Sequence, residues 1–444
     1  MRTSGSPPPD AQNPLPAGHS AVRSAEADDR RRTYRWVVLA CCFLATFSYG
    51  LFYTIGVFFR PLQAEFGWSA AQTSSIQSFH LAVGIPSVFL VGWATDRFGA
   101  RVTLACAGTL VGLGLALCSL ASGLWHFYLF YGIATLGMGA LWTLPTITVQ
   151  RWFARQRGLA LGIVVAGVGA GAAAYAPAAN SLILAHGWRS AYLALATGTW
   201  VILMIAALLL PRRAKDRAEG TGEPGEGKAE ATNGAAEKPS KVWRSGEWSL
   251  REAFHTRSFW LLAAAQLCSV LSVQMAMVHV VPFAISRGVD QTAAAGALSL
   301  IGALSIAGRV GMATVAQKTG FRWAFIICTS ACALMFIWLL GVDVLWMIYV
   351  FAAVYGFFYG GKVPQSPGLA GYFFPGKALA TIFGAISAVS AIGGVIGPLI
   401  GGFVWDATDS YRLAFIIGAC FWALAAVLAL LLKPPQKTET ATTG

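Results

Sequence analysis

The sequence predicts an all-α membrane protein with twelve transmembrane helices in two pseudo-symmetric six-helix bundles. Three observations carry this reading. Of the 444 residues, 56% are hydrophobic and only 11% charged, with a mean hydropathy of +0.61. A soluble domain carries about 25% charged residues, so a soluble enzyme is disfavoured. The apolar residues gather into twelve stretches long enough to cross a hydrocarbon core of about 30 Å as helices. The two halves of the chain also repeat one another.

In chain order, residues 1–35 are rich in Pro, Ser, Ala and charge and run into Arg30-Arg31-Arg32. No apolar run follows the first residues, so a cleaved leader is not expected and a disordered cytoplasmic arm is. The N-terminal bundle, 36–210, holds spans near 36–59, 73–95, 102–121, 125–150, 158–184 and 188–210. A polar stretch from Pro211-Arg212-Arg213 to residue 257, rich in Lys, Glu, Gly and Ala, reads as a cytoplasmic linker. Trp243, Trp248 and Phe254 near its end suggest a short amphipathic segment on the membrane surface, the alternative being a featureless linker. The C-terminal bundle, 258–433, holds spans near 258–283, 291–316, 322–341, 344–373, 378–404 and 411–432, followed by a cytoplasmic tail, 434–444.

An even number of spans puts both termini on one side. With that side inside, only Arg60, Arg189, Arg287 and Arg412 face outward, and Arg309 and Lys362 lie within spans. Every other one of the 32 Lys and Arg is cytoplasmic or at a cytoplasmic border. This positive-inside bias points to a plasma (inner) membrane with cytoplasmic termini. It accounts for the net charge of +13 without a nucleic-acid partner. Cys41, Cys42, Cys106, Cys118, Cys268, Cys328, Cys332 and Cys420 all fall in apolar stretches and read as buried free thiols.

The repeat has an offset near 221. Gly99-Ala100-Arg101 matches Gly320-Phe321-Arg322, and Pro177 matches Pro398. At an offset of 223, Trp188-Arg189 matches Tyr411-Arg412. Each match is weak alone, but their common offset indicates a duplicated six-helix unit, an architecture used by membrane carriers.

Three segments carry chemistry. The loop after the second span reads Gly92-Trp93-Ala94-Thr95-Asp96-Arg97-Phe98-Gly99-Ala100-Arg101. Gly92 allows close helix packing and Gly99 a sharp turn. Asp96 suits a helix N-terminus of the other half, and Arg97 and Arg101 suit carboxylates or helix-end carbonyls. The loop resembles that between helices 2 and 3 of the major facilitator superfamily, which implies a latch closing the cytoplasmic side. The blander reading is a positive-inside turn with no gating role. The second-half copy has Gln317 in place of Asp96, so the latch is expected to be asymmetric.

Trp152-Phe153-Ala154-Arg155-Gln156-Arg157-Gly158-Leu159-Ala160 leads into Gly162, Ala166, Gly167, Gly169 and Gly171. It resembles the helix 5 entry of monocarboxylate transporters. Gly158, Gly162, Ala166 and Gly169 or Gly171 are expected to line one helix face, where a neighbour can approach and slide; the blander reading is a generic packing stripe.

In helix 8, Arg309 stands in an apolar stretch, at an insertion cost of about 2.5–3.5 kcal/mol. Such a residue persists where it meets an anion in a wet cavity, and its planar fork fits a carboxylate. Snorkelling to the cytoplasmic surface is the alternative. In monocarboxylate transporters this stretch carries an Arg four residues after an Asp. Arg309 matches the Arg, and Ser305 stands at the acid's position. Lys362 in helix 10 should lie at a similar depth, as a second anion contact or a snorkelling lysine. Tyr53 falls where the animal relatives place a helix 1 lysine. Tyr49, Tyr53, Tyr355 and Tyr359 would together give aromatic walls with polar tips. His80 and His279 are titratable, although a lone histidine is more often a packing residue.

The resemblance implies a secondary transporter of small organic anions. Proton-linked monocarboxylate symport by alternating access is favoured, with Arg309, Tyr53, Lys362, Tyr359, Tyr49 and Ser305 as substrate contacts. Gly92, Asp96, Arg97, Gly99 and Arg101 would gate. Its partners are the anion, a proton or counter-anion, and the bilayer. Carboxylate or dicarboxylate exchange of the oxalate–formate type is the alternative, and a non-transporting membrane sensor or scaffold is a reading of another class. No phosphate-cradling loop, metal-ligand cluster or catalytic constellation is found in the sequence, so no cofactor, metal or enzymatic activity is expected. All Asp and Glu lie in arms, linker, loops or span ends, so a buried carboxylate is not expected to carry the proton.

Overall fold

Twelve long helices form two bundles in the computed structural model, which describes residues 34–153, 157–210, 248–375 and 378–433. The expected arm (1–33), most of the linker with Trp243 (211–247) and the tail (434–444) lie outside the described residues. The first bundle holds α1 (Tyr34–Phe66), α2 (Ala70–Phe98), α3 (Ala100–Cys118), α4 (Leu124–Trp152), α5 (157–186) and α6 (188–209). The second holds α7 (Arg257–Ser286), α8 (Gln291–Thr319), α9 (Phe321–Trp338), α10 (Leu345–Phe373), α11 (Leu379–Thr408) and α12 (Arg412–Leu431).

Local chemistry sets the boundaries. Ser69 and Gln72 form a reciprocal capping box at the start of α2. The Thr256 hydroxyl caps α7, and the Asp290 carboxylate caps α8. Gly187 separates α5 from α6 with a φ of 79°, a conformation that a side chain would disfavour. The repeat appears in the backbone itself. Gly99 (φ 84°, ψ 161°) and Gly320 (φ 85°, ψ 153°) make the same turn between α2 and α3 and between α8 and α9.

Within the first half, α2 packs on α4, α3 on α4 and α6, and α1 on α5; within the second, α7 packs on α11 and α12, α8 on α10, and α9 on α10 and α12. The halves meet through α2 with α11, α5 with α8, and α1 with α7. The glycines of α5 serve two faces, and of the two left open for the expected stripe, Gly169 meets α8 and Gly171 meets α1. A Cβ at Gly167 or Gly171 would run into the α1 backbone. One at Gly169 would come within 2.7 Å of the Gly302 carbonyl oxygen on α8. The first contact ties α5 into its own bundle, and the second brings it against the other.

Trp248 is buried against Phe374, with ring centroids 5.6 Å apart, and its N–H donates to the Pro375 carbonyl. It therefore anchors the linker's end to the second bundle, while Phe254 stays exposed. The adjoining Leu250–Phe254 forms one short helix with its own Ser249–Glu252 capping box. All eight cysteines are free, but Cys106 and Cys420 are exposed, which corrects the expectation that every thiol is buried.

Candidate substrate cavity

Midway along α1 the helix tightens into a 3₁₀ turn, Gly50–Thr54. Here Gly50 sits against the backbone of Gly171 and Ala172, which leaves no room for a side chain. This turn carries Tyr53 into the seam between the halves. From the other half, α10 brings Tyr359, and the two hydroxyls stand 3.5 Å apart. Beside them is a cavity with an empty volume of about 250 Å³, to which α1, α5, α7, α8 and α10 all contribute.

Its polar lining is Arg309, Tyr53, Tyr359 and Ser305; the apolar wall includes Val168, Ala172, Met277, Leu298 and Ile301. The Arg309 guanidinium reaches across the seam, and its Nη1 donates to the Val165 carbonyl of α5. Its Nε is buried with no hydrogen-bond partner. A buried donor on a cation is costly to leave unsatisfied, so the arrangement favours an incoming acceptor. The Ser305 hydroxyl donates back to Gly302, 2.7 Å away, and its backbone packs against Gly360. It contributes shape more than charge.

Two of the sequence-derived contacts stand elsewhere. Lys362 does not line the cavity. It is only 5% exposed, turned into the second bundle with its amine 5.9 Å from the Phe325 ring centre and in the electrostatic neighbourhood of Cys328 and Cys332. Along α10 its direction differs from that of Tyr359, three residues earlier, by about 60° of helix turn, and that sends it toward α9. Tyr49 also lies outside the lining, packed between Phe52 and Trp142 at centroid distances of 6.3 and 6.1 Å. Tyr355 stacks on Tyr359 and is buried, its hydroxyl without a partner. Neither histidine reaches the cavity. The His80 Nδ1 is 2.7 Å from the Thr135 hydroxyl, and His279 bridges α7, α2 and α11. Met277 and Val168 are lining residues that apolar patterning could not single out. The meeting of residues from both halves at one seam is a tertiary fact with no local signature.

The loop residues Gly92–Arg101 lie at the end of the molecule that carries the chain termini. Gly99 makes the turn described above, and Arg97 lies over the Trp93 and Phe98 rings, 5.7 Å from each. The Asp96 side chain lies outside the described residues. Among the described residues no ion pair joins this loop to the second half. The repeat's copy behaves differently: Arg322 donates from Nε to the Ala429 carbonyl at 3.0 Å and from Nη2 to that of Leu430, at the end of α12.

Contact between the halves is graded along the seam. At the end away from the termini, a Cβ at Gly402 would come within 2.7 Å of Ala71. Midway, Gly394 is in ordinary contact with Leu81. Near the termini a Cβ at Gly92, Gly162 or Gly384 would meet nothing within 4 Å. Gly384 is about five turns from Gly402 on the same face of α11, so that face is shut at one end and open at the other.

Paired helical bundles around a seam that holds an arginine are the build of a secondary membrane carrier. Comparison with known proteins makes this specific. Residues 41–343 and 312–444 match the Major Facilitator Superfamily. Human monocarboxylate transporter 12 is 26% identical over 425 residues, which span 91% of this chain and 82% of that one. Mouse monocarboxylate transporter 4 is 28% identical over 424 residues, spanning 91% and 86%. In fold, the chain is similar to a bacterial homologue of the human lysosomal transporter Spinster, solved in an inward-facing and unoccupied conformation. The TM-score is 0.71 at 16% identity, covering 90% of this chain and 97% of that one. The chain belongs to the Major Facilitator Superfamily, and the curated relatives named here are monocarboxylate transporters. It is an integral membrane carrier and not an enzyme.

Proposed function

We propose that this protein carries small monocarboxylates together with a proton, by alternating exposure of the cavity to the two sides of the membrane. The observation that carries this reading is the Arg309 guanidinium in the seam, with a buried Nε that lacks an acceptor. A carboxylate there takes two parallel bonds from the fork, with the Tyr53 and Tyr359 hydroxyls as further donors. The apolar wall favours a short hydrocarbon tail. Because Lys362 is turned into the second bundle, a second carboxylate would lack a cation, which favours a monocarboxylate over a dicarboxylate.

For proton coupling, the surroundings of the cavity narrow the choice of carrier. Among the described lining residues none is Asp, Glu or His. His80 and His279 are held by neighbours away from it. Lys362 is the one lysine within the spans read from the sequence, and no hydrogen bond or ion pair of its amine is found among the described residues. We therefore assign the proton to Lys362. The gate reading of Gly92, Asp96, Arg97, Gly99 and Arg101 belongs to the same proposal: with the termini in the cytoplasm of a plasma (inner) membrane, the described form is open inward, and these residues close it.

The test is uptake into liposomes that contain no anion, under an inward proton gradient. Accumulation of a monocarboxylate is expected. Uptake that begins only once a carboxylate is loaded inside contradicts symport and supports exchange.

A further inference from the structure

The first four N–H groups of an α-helix have no partner within it. In α2 all four are satisfied, but from two sources. Gln72 and Thr73 donate to Ser69, the helix's own cap. Ala70 and Ala71 donate to the two carboxylate oxygens of Asp406, at 2.7 and 2.8 Å. Asp406 belongs to the last turns of α11, in the other half of the protein. A carboxylate at a helix N-terminus is also favoured by the helix dipole.

Several further contacts surround this one. Gly402, one turn before Asp406, lets α11 approach the Ala71 backbone. The His279 Nε2 lies 2.9 Å from the Pro398 carbonyl of α11 and 3.3 Å from the Ser74 hydroxyl of α2. The Arg60 guanidinium of α1 lies 5.5 Å from the Trp405 ring centre of α11. On the opposite flank, Asn180 of α5 donates to the Thr292 hydroxyl of α8. All of them cross the seam at the end away from the chain termini, where the cavity is shut.

We propose that Asp406 is the lock of that end: its carboxylate, fixed to the first two amides of α2, sets how often the halves part there. Parting requires both charge-assisted bonds to break together, because they share one carboxylate. At the other end the proposed gate also uses an acid, Asp96. Asp406 is a positioning residue. It does not line the cavity, and the proposal does not depend on what the cavity binds.

The test is a distance distribution between spin labels on Ala64 and Thr408, both exposed at this end, in liposomes without substrate. Exposed Cys106 and Cys420 are replaced by Ser. The parent protein should show mainly the short, closed distance. Asp406→Asn keeps the shape and loses the charge, and should raise the open-to-closed ratio about tenfold. Asp406→Glu should recover part of the closed population, which a purely steric role would not. Should Asp406→Asn fail to reach the membrane, Gly402→Ala takes its place. Its Cβ would press on Ala71 and must open the same contact. Because no substrate is present, the outcome is read separately from the substrate reading. An unchanged distribution in a well-inserted Asp406→Asn, or in Gly402→Ala where that variant stands in, overturns the proposal.

Discussion

Arg309 and Lys362 are both cations inside membrane-spanning helices, about equally far along α8 and α10, yet they face opposite ways. Arg309 crosses the seam to α5 and borders the cavity; Lys362 points into its own bundle, toward Phe325. Two turns of backbone contact between α8 and α10, at Gly308 and Gly360, hold the helices in this orientation. A charge in the membrane therefore acquires its role from the face it occupies, not from its depth. On the proposed reading, the cation that spans the halves senses substrate and couples it to their motion. On the same reading, the cation inside one half carries the proton without touching substrate.

This contrast predicts different failures. The largest effect is expected from Arg309→Lys, which keeps the charge and loses the fork. Affinity should fall by about 1.5–3 kcal/mol, read as a shift in substrate Kd. Next comes Lys362→Met. It should abolish accumulation driven by a proton gradient and leave exchange of substrate for substrate running, with Kd near that of the parent. Loss of binding in this variant would erase the distinction between the two cations.

Asp96→Asn should slow net transport several-fold without weakening equilibrium binding, because its place is the loop and not the cavity. Weakened binding with normal transport kinetics would remove it from the gate. The smallest effect is expected from Tyr53→Phe, which removes one hydroxyl: about 0.5–1.5 kcal/mol in KM, with kcat little altered. An unchanged KM would leave Tyr359 as the only tyrosine donor.

The helices were legible in the sequence because a bilayer demands long apolar runs, and glycines at Gly99 and Gly320 mark their turns. Arg309 was legible too, since a guanidinium in such a run is too costly to be idle. The direction of Lys362 was not. Position along a helix follows from counting residues, but the partner that each face meets depends on how bundles dock. The same holds for Gly169 and Gly171, two residues apart, which face α8 and α1 respectively. Asp406 was read only as an acid near a span end. Its role emerges when α2, more than three hundred residues earlier, is placed against it.

The central claim is that Arg309 alone supplies the charge that holds one carboxylate. Equilibrium binding of labelled monocarboxylates and dicarboxylates, in wild type, Arg309→Ala and Lys362→Met, tests it most directly. The account predicts that wild type prefers the monocarboxylate, that Arg309→Ala loses binding of both while still inserting normally, and that Lys362→Met keeps the preference. Undiminished monocarboxylate binding in Arg309→Ala would contradict it.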